Sequence, residues 1–239
     1  MSVRRGLAAL LERVPCLGFL ACALRAGLVA PALGAGLLGL AAPARAQGLA
    51  LGFSADPVLA AGNAAVDSVW IPRAVAERAS IVRVNVYWSQ VAPLVPPAGF
   101  TPADPASPGY DWTATDTAVR DLTAHRLQVL LTISSAPVWA EGAGAHAGAQ
   151  PGSWRPDPAA LADFSMAAAR RYDGRFPDPL RPGAVLPRVR YWQPWNEPNL
   201  SLYLAPQWTR SDSGWAPASP GIYRQLLNAF RNTRPHRGR

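Results

Sequence analysis

Strand and helix patterns alternate along this sequence, and the alternation restricts the folds that the chain can adopt. Runs rich in β-branched and other apolar residues predict four strands, at 48–54, 80–88, 127–135 and 185–195. Apolar residues at helical spacing follow each run and predict helices within 69–79, 113–126, 157–174 and 219–230. This order is typical of a parallel sheet, because a parallel strand is reached only by a crossover connection.

The loops indicate which parallel fold is present. The long Pro- and Gly-rich segments 91–110 and 136–156 both follow strands, whereas most connections from helix back to strand are short. This asymmetry is typical of a (β/α)₈ TIM barrel, whose functional loops follow its strands. We therefore predict an α/β chain of the TIM barrel class that holds about the first four βα units. A doubly wound open sheet is the alternative, but its G-x-G-x-x-G loop is missing after the first strand.

Individual residues predict how the helices begin and which side they bury. Pro72 suits the first turn of the first helix, and Asp157 and Ser219 suit the caps of the third and fourth. The predicted inward-facing residues are Val75, Ala76 and Ala79 in the first helix, Val119 and Leu122 in the second, Leu161, Phe164, Ala168 and Tyr172 in the third, and Ile222, Leu226 and Phe230 in the fourth.

Basic residues are concentrated at the two ends of the chain, although its formal net charge is +8. Residues 47–230, the predicted domain, hold 14 Arg and 14 Asp or Glu, so this part carries no net charge. No basic stripe interleaved with aromatic residues occurs there, so nucleic acid is not an expected partner. Residues 231–239 form a basic tail without apolar spacing, and we expect a frameshift or truncation at this end.

The first 46 residues have the order of a secretory signal peptide. A basic segment precedes the apolar run Gly27–Ala42, and an A-x-A site predicts cleavage after Ala46. We therefore predict a secreted, extracellular protein with no stable membrane insertion after cleavage, whether export uses the Sec or the twin-arginine route. A membrane anchor is the alternative, although the apolar run is short for a span of about 20 residues. Both cysteines lie in this leader, so no disulfide or cysteine metal site is expected.

The segment after the fourth predicted strand combines residue types suited to acid–base chemistry. Glu197 stands at the carboxyl end of that strand, where a barrel carries its catalytic groups. The indoles of Trp192 and Trp195 are expected to exclude water around it, as a general acid working near neutral pH requires. Asn196 offers an amide donor beside the carboxyl group. Flat aromatic faces also suit stacking on sugar rings.

The run WNEPN resembles the strand-four motif of the retaining glycoside hydrolases of clan A, which include the cellulase-like family 5 and the xylosidase-like family 39. The resemblance implies that Glu197 is the general acid/base and that Asn196 bonds the 2-hydroxyl of the sugar undergoing cleavage. It also implies a carbohydrate substrate and no cofactor. VRVNVYW resembles the strand-two segment with a supporting arginine, here Arg83. TISSAPVWA resembles the end of strand three, where Trp139 would line the cleft.

Each of these assignments has a structural alternative. Glu197 could be a solvated loop residue or a helix cap, and Arg83 could stabilise the barrel through an ion pair. The predicted substrate contacts are Trp88, Trp139, Trp192 and Trp195, and the first three of them could be packing residues. Three further polar residues are set aside, since Asp56 is read as a turn residue, His125 as a surface residue and His146 as lacking partners at metal-ligand spacing. No metal site is predicted.

Retaining hydrolysis uses two carboxylates about 5–5.5 Å apart, and the sequence shows only one clear candidate. Asp212 is the only acid after Glu197, and Glu141 matches no position of the resemblance. We therefore expect the nucleophile in a missing C-terminal half, in an enzyme that hydrolyses the O-glycosyl bonds of a poly- or oligosaccharide. A non-catalytic carbohydrate-binding half barrel and an inactive fragment are the alternatives.

Overall fold

A computed structural model describes residues 49–54, 63–144 and 148–233 of the chain. The predicted signal peptide, Asp56, His146 and residues 234–239 lie outside the described residues. In chain order the elements are β1 (Gly52–Ser54), α1 (Ala64–Ala76), β2 (Ile81–Tyr87), α2 (Trp88–Val91), α3 (Thr113–Ala124), β3 (Gln128–Ser134), a 3₁₀ turn (Val138–Ala140), α4 (Pro158–Arg171), β4 (Tyr191–Pro194), β5 (Trp208–Ser211), β6 (Gly214–Pro217) and α5 (Ser219–Asn232).

The first four strands form one parallel sheet in the order β1-β2-β3-β4. A doubly wound sheet reverses its strand order at a switch point, and no reversal occurs among these strands. Each of them instead lies beside the next one along the chain, as the strands of a barrel do. The fold is therefore α/β with a four-stranded parallel sheet, and this sheet does not close into a barrel within the described residues.

The two faces of the sheet differ because side chains alternate along each strand. Val84 of β2 pairs with Leu131 of β3, which in turn pairs with Trp192 of β4. The Trp192 ring lies 6.4 Å from the ring of Tyr172, the residue that ends α4. This face therefore meets the helices. The opposite face is more polar, and its residues include Ser54, Arg83, Asn85, Thr132 and Gln193.

The apolar core lies between the sheet and helices α3, α4 and α5. The predicted inward residues of these helices are confirmed as buried, apart from the half-buried Ile222. The buried ones are Val119, Leu122, Leu161, Phe164, Ala168, Tyr172, Leu226 and Phe230. Aromatic rings also stack in this core, since Phe164 lies between Trp88 and Trp112 at ring-centroid distances of 5.4 Å to each.

Helix α1 begins earlier than the sequence suggests. Asn63 caps it, and its side-chain oxygen accepts a hydrogen bond from the N–H of Ala65 at 3.0 Å. Pro72 consequently lies inside the helix, and the prediction that it occupies the first turn is wrong. Val75 and Ala76, which were predicted to face inward, are exposed, because the face that packs inward is the one that carries Asp67, Ile71 and Ala74.

The two predicted caps have different outcomes. Asp157 caps α4 as predicted, and its carboxylate accepts hydrogen bonds from two main-chain N–H groups of the first turn. Ser219 does not cap α5, because Ala218 holds that position and the Ser219 hydroxyl donates to the side-chain oxygen of Gln207 at 3.0 Å. Helix α5 also continues to Asn232, two residues into the predicted basic tail.

A buried ionic cluster joins α3 to α4 and to the loop that leads to β4. Asp116 accepts hydrogen bonds from Arg171 at 2.8 and 2.6 Å and from the Tyr172 hydroxyl at 2.8 Å. Arg120 lies 3.5 Å from Asp116 and donates to Asp178 at 2.9 Å. Burial, with the Asp116 charge beside it, raises the pKa of Tyr172 far above its ordinary value. Burial opposes ionisation of Asp178, but hydrogen bonds and Arg120 outweigh it and lower the pKa.

Neutralising the centre of this cluster is expected to destabilise the fold. We predict that Asp116→Asn lowers the free energy of unfolding by about 3–5 kcal/mol, because it leaves the buried Arg171 without its counter-charge. Urea titration followed by tryptophan fluorescence measures this loss. Asp163→Asn, on the exposed side of α4, is the matched control and should change stability by less than about 0.5 kcal/mol. Equal stability of the two variants would show that the cluster is not structural.

Candidate active site at the carboxyl end of strand four

The backbone immediately after β4 has an unusual conformation. Trp195 and Glu197 both have positive φ values, 64° and 33°, on either side of Asn196. Non-glycine residues in this region cost about 1–3 kcal/mol each, so surrounding contacts must hold them there. Trp195 provides such contacts, because its N–H donates to the carbonyl of Ile133 and its indole N–H donates to the carbonyl of Tyr203, each at 2.8 Å.

Arg83 holds the segment from the polar face of the sheet. Its Nη2 donates to Oδ1 of Asn196 at 2.7 Å and to Oδ1 of Asn85 at 3.0 Å. Its Nε donates to the hydroxyl of Thr132 at 3.1 Å. A single guanidinium therefore links strands β2 and β3 to the residue that precedes Glu197.

The hydrogen bond from Arg83 also fixes which way the Asn196 amide is turned. A guanidinium has donors and no acceptor, so only the oxygen of the amide can face it. The two N–H groups on Nδ2 of Asn196 are then the donors that remain. Asn196 is buried, and an amide held in one orientation suits recognition of a ligand hydroxyl.

The side chain of Glu197 is exposed, and this corrects the expectation that two indoles enclose it. The alternation of side chains along β4 explains the difference. Trp192 lies on the helix side of the sheet beside Leu131 and Tyr172. Trp195 is buried and hydrogen-bonded to the loop that follows. Neither ring covers the carboxylate.

The four tryptophans predicted to contact substrate have different environments. Trp88 is fully buried, with Phe164 stacked on it and Trp139 at its edge. Both Trp88 and Trp195 therefore serve packing in this structure, which was the alternative interpretation of Trp88. Trp139 is half-buried after β3, and its indole N–H donates to the carbonyl of Pro93 at 2.9 Å.

Trp192 lines a cavity of about 820 Å³ at the opposite end of the sheet from Glu197. The cavity lies where β4 begins and where α4 and α5 end, and its walls include Tyr172, Arg188 and Phe230. A substrate contact by Trp192 near Glu197 is therefore not supported by its position. Of the four predicted contacts, only Trp139 both keeps an accessible ring and follows a strand at its carboxyl end.

The other acidic and imidazole candidates occupy structural or peripheral positions. An oxygen of Glu141 accepts a hydrogen bond from the main-chain N–H of Trp154 at 2.8 Å, which ties two parts of the loop after β3. Asp212 lies in the turn between β5 and β6 and is exposed. His125 is an exposed residue at the end of α3, as predicted.

A hairpin in the loop after β4 was not predicted from the sequence. Strands β5 and β6 pair antiparallel, with Trp208 opposite Pro217 and Ser211 opposite Gly214. The run SDSG between them, flanked by alternating large residues, is a turn signal that could have revealed the hairpin. This loop also bridges to the preceding one through a parallel pairing of Trp154 with Ala205.

Within residues 49–54, 63–144 and 148–233, no group of three or more His, Cys, Asp and Glu side chains is placed to hold a metal ion. In the same ranges, no helix combines the length and the apolar character needed to cross a membrane.

Comparison with known proteins gives structural neighbours only. No protein-family model and no curated protein matches the sequence. A GH39 enzyme from Xanthomonas axonopodis pv. citri superposes with a TM-score of 0.48 and 17% identity over 77% of this chain and 32% of the enzyme. A glucosidase from Croceicoccus marinus superposes with a TM-score of 0.43 and 22% identity over 77% of this chain and 34% of its own. The chain therefore spans about one third of the length of each.

Coupling between Arg83 and Asn196 should be measurable as a stability term. We predict that a double-mutant cycle of Arg83→Met and Asn196→Ala gives an interaction energy of about 1.5 kcal/mol, as expected for a hydrogen bond to a charged group. Unfolding in urea gives the four free energies that the cycle needs.

A matched cycle controls for indirect effects. Arg188 is an exposed arginine at the other end of β4, and Arg188→Met combined with Asn196→Ala should be additive to within about 0.5 kcal/mol. If the Arg83 cycle were equally additive, the hydrogen bond would not hold the segment.

Proposed function

We propose that the chain is part of a glycoside hydrolase in which Glu197 is the general acid/base. The observation that carries the proposal is the position of the pair Asn196–Glu197, at the carboxyl end of a parallel strand with the Asn196 amide held by Arg83. Parallel α/β folds bind ligands at this end of their strands. The resemblance of WNEPN to the strand-four motif of clan A retaining enzymes supports the same assignment.

Each residue would then have a defined chemical role. Glu197 would protonate the glycosidic oxygen as the bond breaks and would later take a proton from the attacking water. Asn196 would donate from Nδ2 to the hydroxyl beside the reacting carbon. Arg83 would act through Asn196 as a positioning residue, since its Nε and Nη2 groups donate to protein side chains.

The retaining mechanism needs a second carboxylate near the first. Asp212 is the only acid that follows Glu197, and it lies at the tip of a hairpin. The proposal therefore assigns the nucleophile to polypeptide outside the described residues. The same polypeptide and the bound sugar would shield Glu197 from bulk water, which a general acid requires to work well.

The same proposal includes export from the cell. The order of basic segment, apolar run and A-x-A site at 1–46 supports cleavage after Ala46. A poly- or oligosaccharide with β-linkages, too large to enter a cell readily, is a substrate that a secreted enzyme would meet.

A second candidate function is glycan binding without catalysis. The exposure of Glu197 favours this alternative, because an exposed carboxylate lacks the desolvation on which acid catalysis depends. Under this alternative the protein would bind glycans through its aromatic loops, and replacing Glu197 would leave that binding unchanged.

Hydrolysis of aryl β-glycosides with different leaving groups tests the catalytic role of Glu197. We predict that, in a protein that also contains the nucleophile, Glu197→Gln lowers kcat/KM by about 10²- to 10⁴-fold on phenyl β-glycosides, whose leaving group needs a proton. On 2,4-dinitrophenyl β-glycosides the loss should be much smaller, since that leaving group departs as a stable anion. Initial rates across both substrate sets give the comparison.

Glu77→Gln is the matched control, because Glu77 is an exposed glutamate at the end of α1, away from β4. It should leave both rates within about twofold of the wild type. A Glu197→Gln variant as active as this control on phenyl glycosides would refute the acid/base role. A wild-type protein that contains the nucleophile but turns over neither substrate would favour the binding alternative.

A further inference from the structure

Two tryptophans of the hairpin are exposed to an extent that packing does not explain. Trp208 in β5 is 58% exposed and Trp215 in β6 is 68% exposed. Large aromatic side chains bury 150–250 Å² when they pack, so leaving two of them in water forgoes a substantial stabilisation. Exposed aromatic residues that occur together, unlike scattered ones, usually mark a binding surface.

The register of the hairpin places both rings on one side. Trp208 and Arg210 are two residues apart on β5 and therefore share a face. Trp215 lies directly opposite Arg210, and Pro217 lies directly opposite Trp208. These four residues form what we call the hairpin face. Residues diagonal to each other across a strand pair are about 7–8 Å apart, a separation that lets Trp208 and Trp215 contact one extended ligand.

The base of the hairpin is attached to the candidate active site. Gln207, directly before Trp208, donates from Nε2 to the carbonyl of Pro198 at 3.0 Å and to that of Leu204 at 2.6 Å. Pro198 is the residue after Glu197. At the other strand, the N–H of Ala218 donates to the carbonyl of Gln207 at 2.8 Å. The hairpin is thereby fixed beside the Glu197 segment.

A groove continues from the hairpin base across the neighbouring loop. It has a volume of about 430 Å³ and lies between the loops that follow β3 and β4, with Trp154 and Gln207 among its lining residues. A ligand that contacts the hairpin face can therefore extend along the carboxyl end of the sheet and not only away from the protein.

The chemistry of the hairpin face fits a sugar chain better than a protein partner. A stable protein interface needs a contiguous surface of about 800 Å² on each side. Here the hairpin face is only two strands wide, and the turn beside it is polar, with Asp212 and Ser213. A β-linked pyranose offers apolar C–H faces for the rings and hydroxyl groups at its edge for the donors of Arg210.

We propose that the hairpin face formed by Trp208, Arg210 and Trp215 binds a β-linked polysaccharide chain at a distance from the bond to be cleaved. The ligand class rests on the proposed function, whereas binding at the hairpin is a separate claim. The two indoles stack on successive parts of the chain, and the Arg210 guanidinium donates to its hydroxyl groups. The hairpin would thereby favour long substrates over short ones.

Affinity electrophoresis in gels that contain soluble barley β-glucan or arabinoxylan tests the inference. All variants carry Glu197→Gln, so that the polysaccharide is not degraded during the run. We expect Glu197→Gln alone to be retarded by at least one of the two polysaccharides. Trp208→Ala and Trp215→Ala should each weaken the binding about fivefold, the effect of roughly 1 kcal/mol per aromatic contact. The double substitution should abolish the retardation.

Trp70→Ala is the matched control, because Trp70 is 43% exposed on α1, outside the hairpin. It should migrate as its parent does, and circular dichroism should show the same fold for every variant. Retardation that survives the double substitution, or that Trp70→Ala reduces equally, would overturn the inference, as would an absence of retardation in the parent. Sedimentation shows whether the hairpin joins two copies instead, which would also overturn it.

Failure of the proposed function gives a different pattern. Wild-type protein that contains the nucleophile and is retarded through the hairpin, but hydrolyses no aryl glycoside, would leave the binding site in place and remove the catalytic role. Normal hydrolysis of aryl glycosides without retardation would support the catalytic role and rule out the polysaccharide site at the hairpin. The aryl substrates are too short to reach the hairpin, so the two readouts are independent.

Discussion

The hydrogen bond between Arg83 and Asn196 is the contact on which the candidate site depends. It reaches from β2 past Thr132 of β3 to the residue after β4, over a separation of 113 positions in the chain. It fixes the orientation of the Asn196 amide and helps to hold Trp195 and Glu197 at positive φ values, which are unfavourable without such contacts. The position of Glu197 follows from the contacts of its two neighbours. Asn196 is hydrogen-bonded to Arg83 of the sheet, and the carbonyl of Pro198 accepts from Gln207 in the following loop.

The remainder of the fold supports the strands that make this contact possible. The apolar face of the sheet packs under α3, α4 and α5, and the buried Asp116–Arg171 pair joins two of these helices. A buried pair of this kind adds specificity more than net stability, since desolvation offsets much of its attraction. In the described part of the chain these helices pack on the apolar face, and Arg83 reaches across the polar face to the segment after β4.

The sequence predicted the parallel α/β fold well because the periodicity and the loop lengths are local properties. Glu197, Asn196 and Arg83 were predicted as site residues, and the structure brings Asn196 and Arg83 into contact. What could not be predicted depends on side-chain direction in three dimensions. The inward turn of Trp195 and the helix-side position of Trp192 leave Glu197 exposed. Likewise, the start of α1 depended on one capping hydrogen bond, which the side chain of Asn63 accepts from the N–H of Ala65 and which outweighs the signal of Pro72.

Nuclear magnetic resonance on protein labelled with ¹⁵N-asparagine tests most directly whether Asn196 and Glu197 form a glycan site. The side-chain amide signals of Asn196, assigned through Asn196→Ala, are followed while a β-linked oligosaccharide is added. A ligand hydroxyl that accepts from Nδ2 should shift these signals with saturation, and Arg83→Met should weaken the response. Saturable binding that leaves the Asn196 signals unmoved would contradict the assignment of this site.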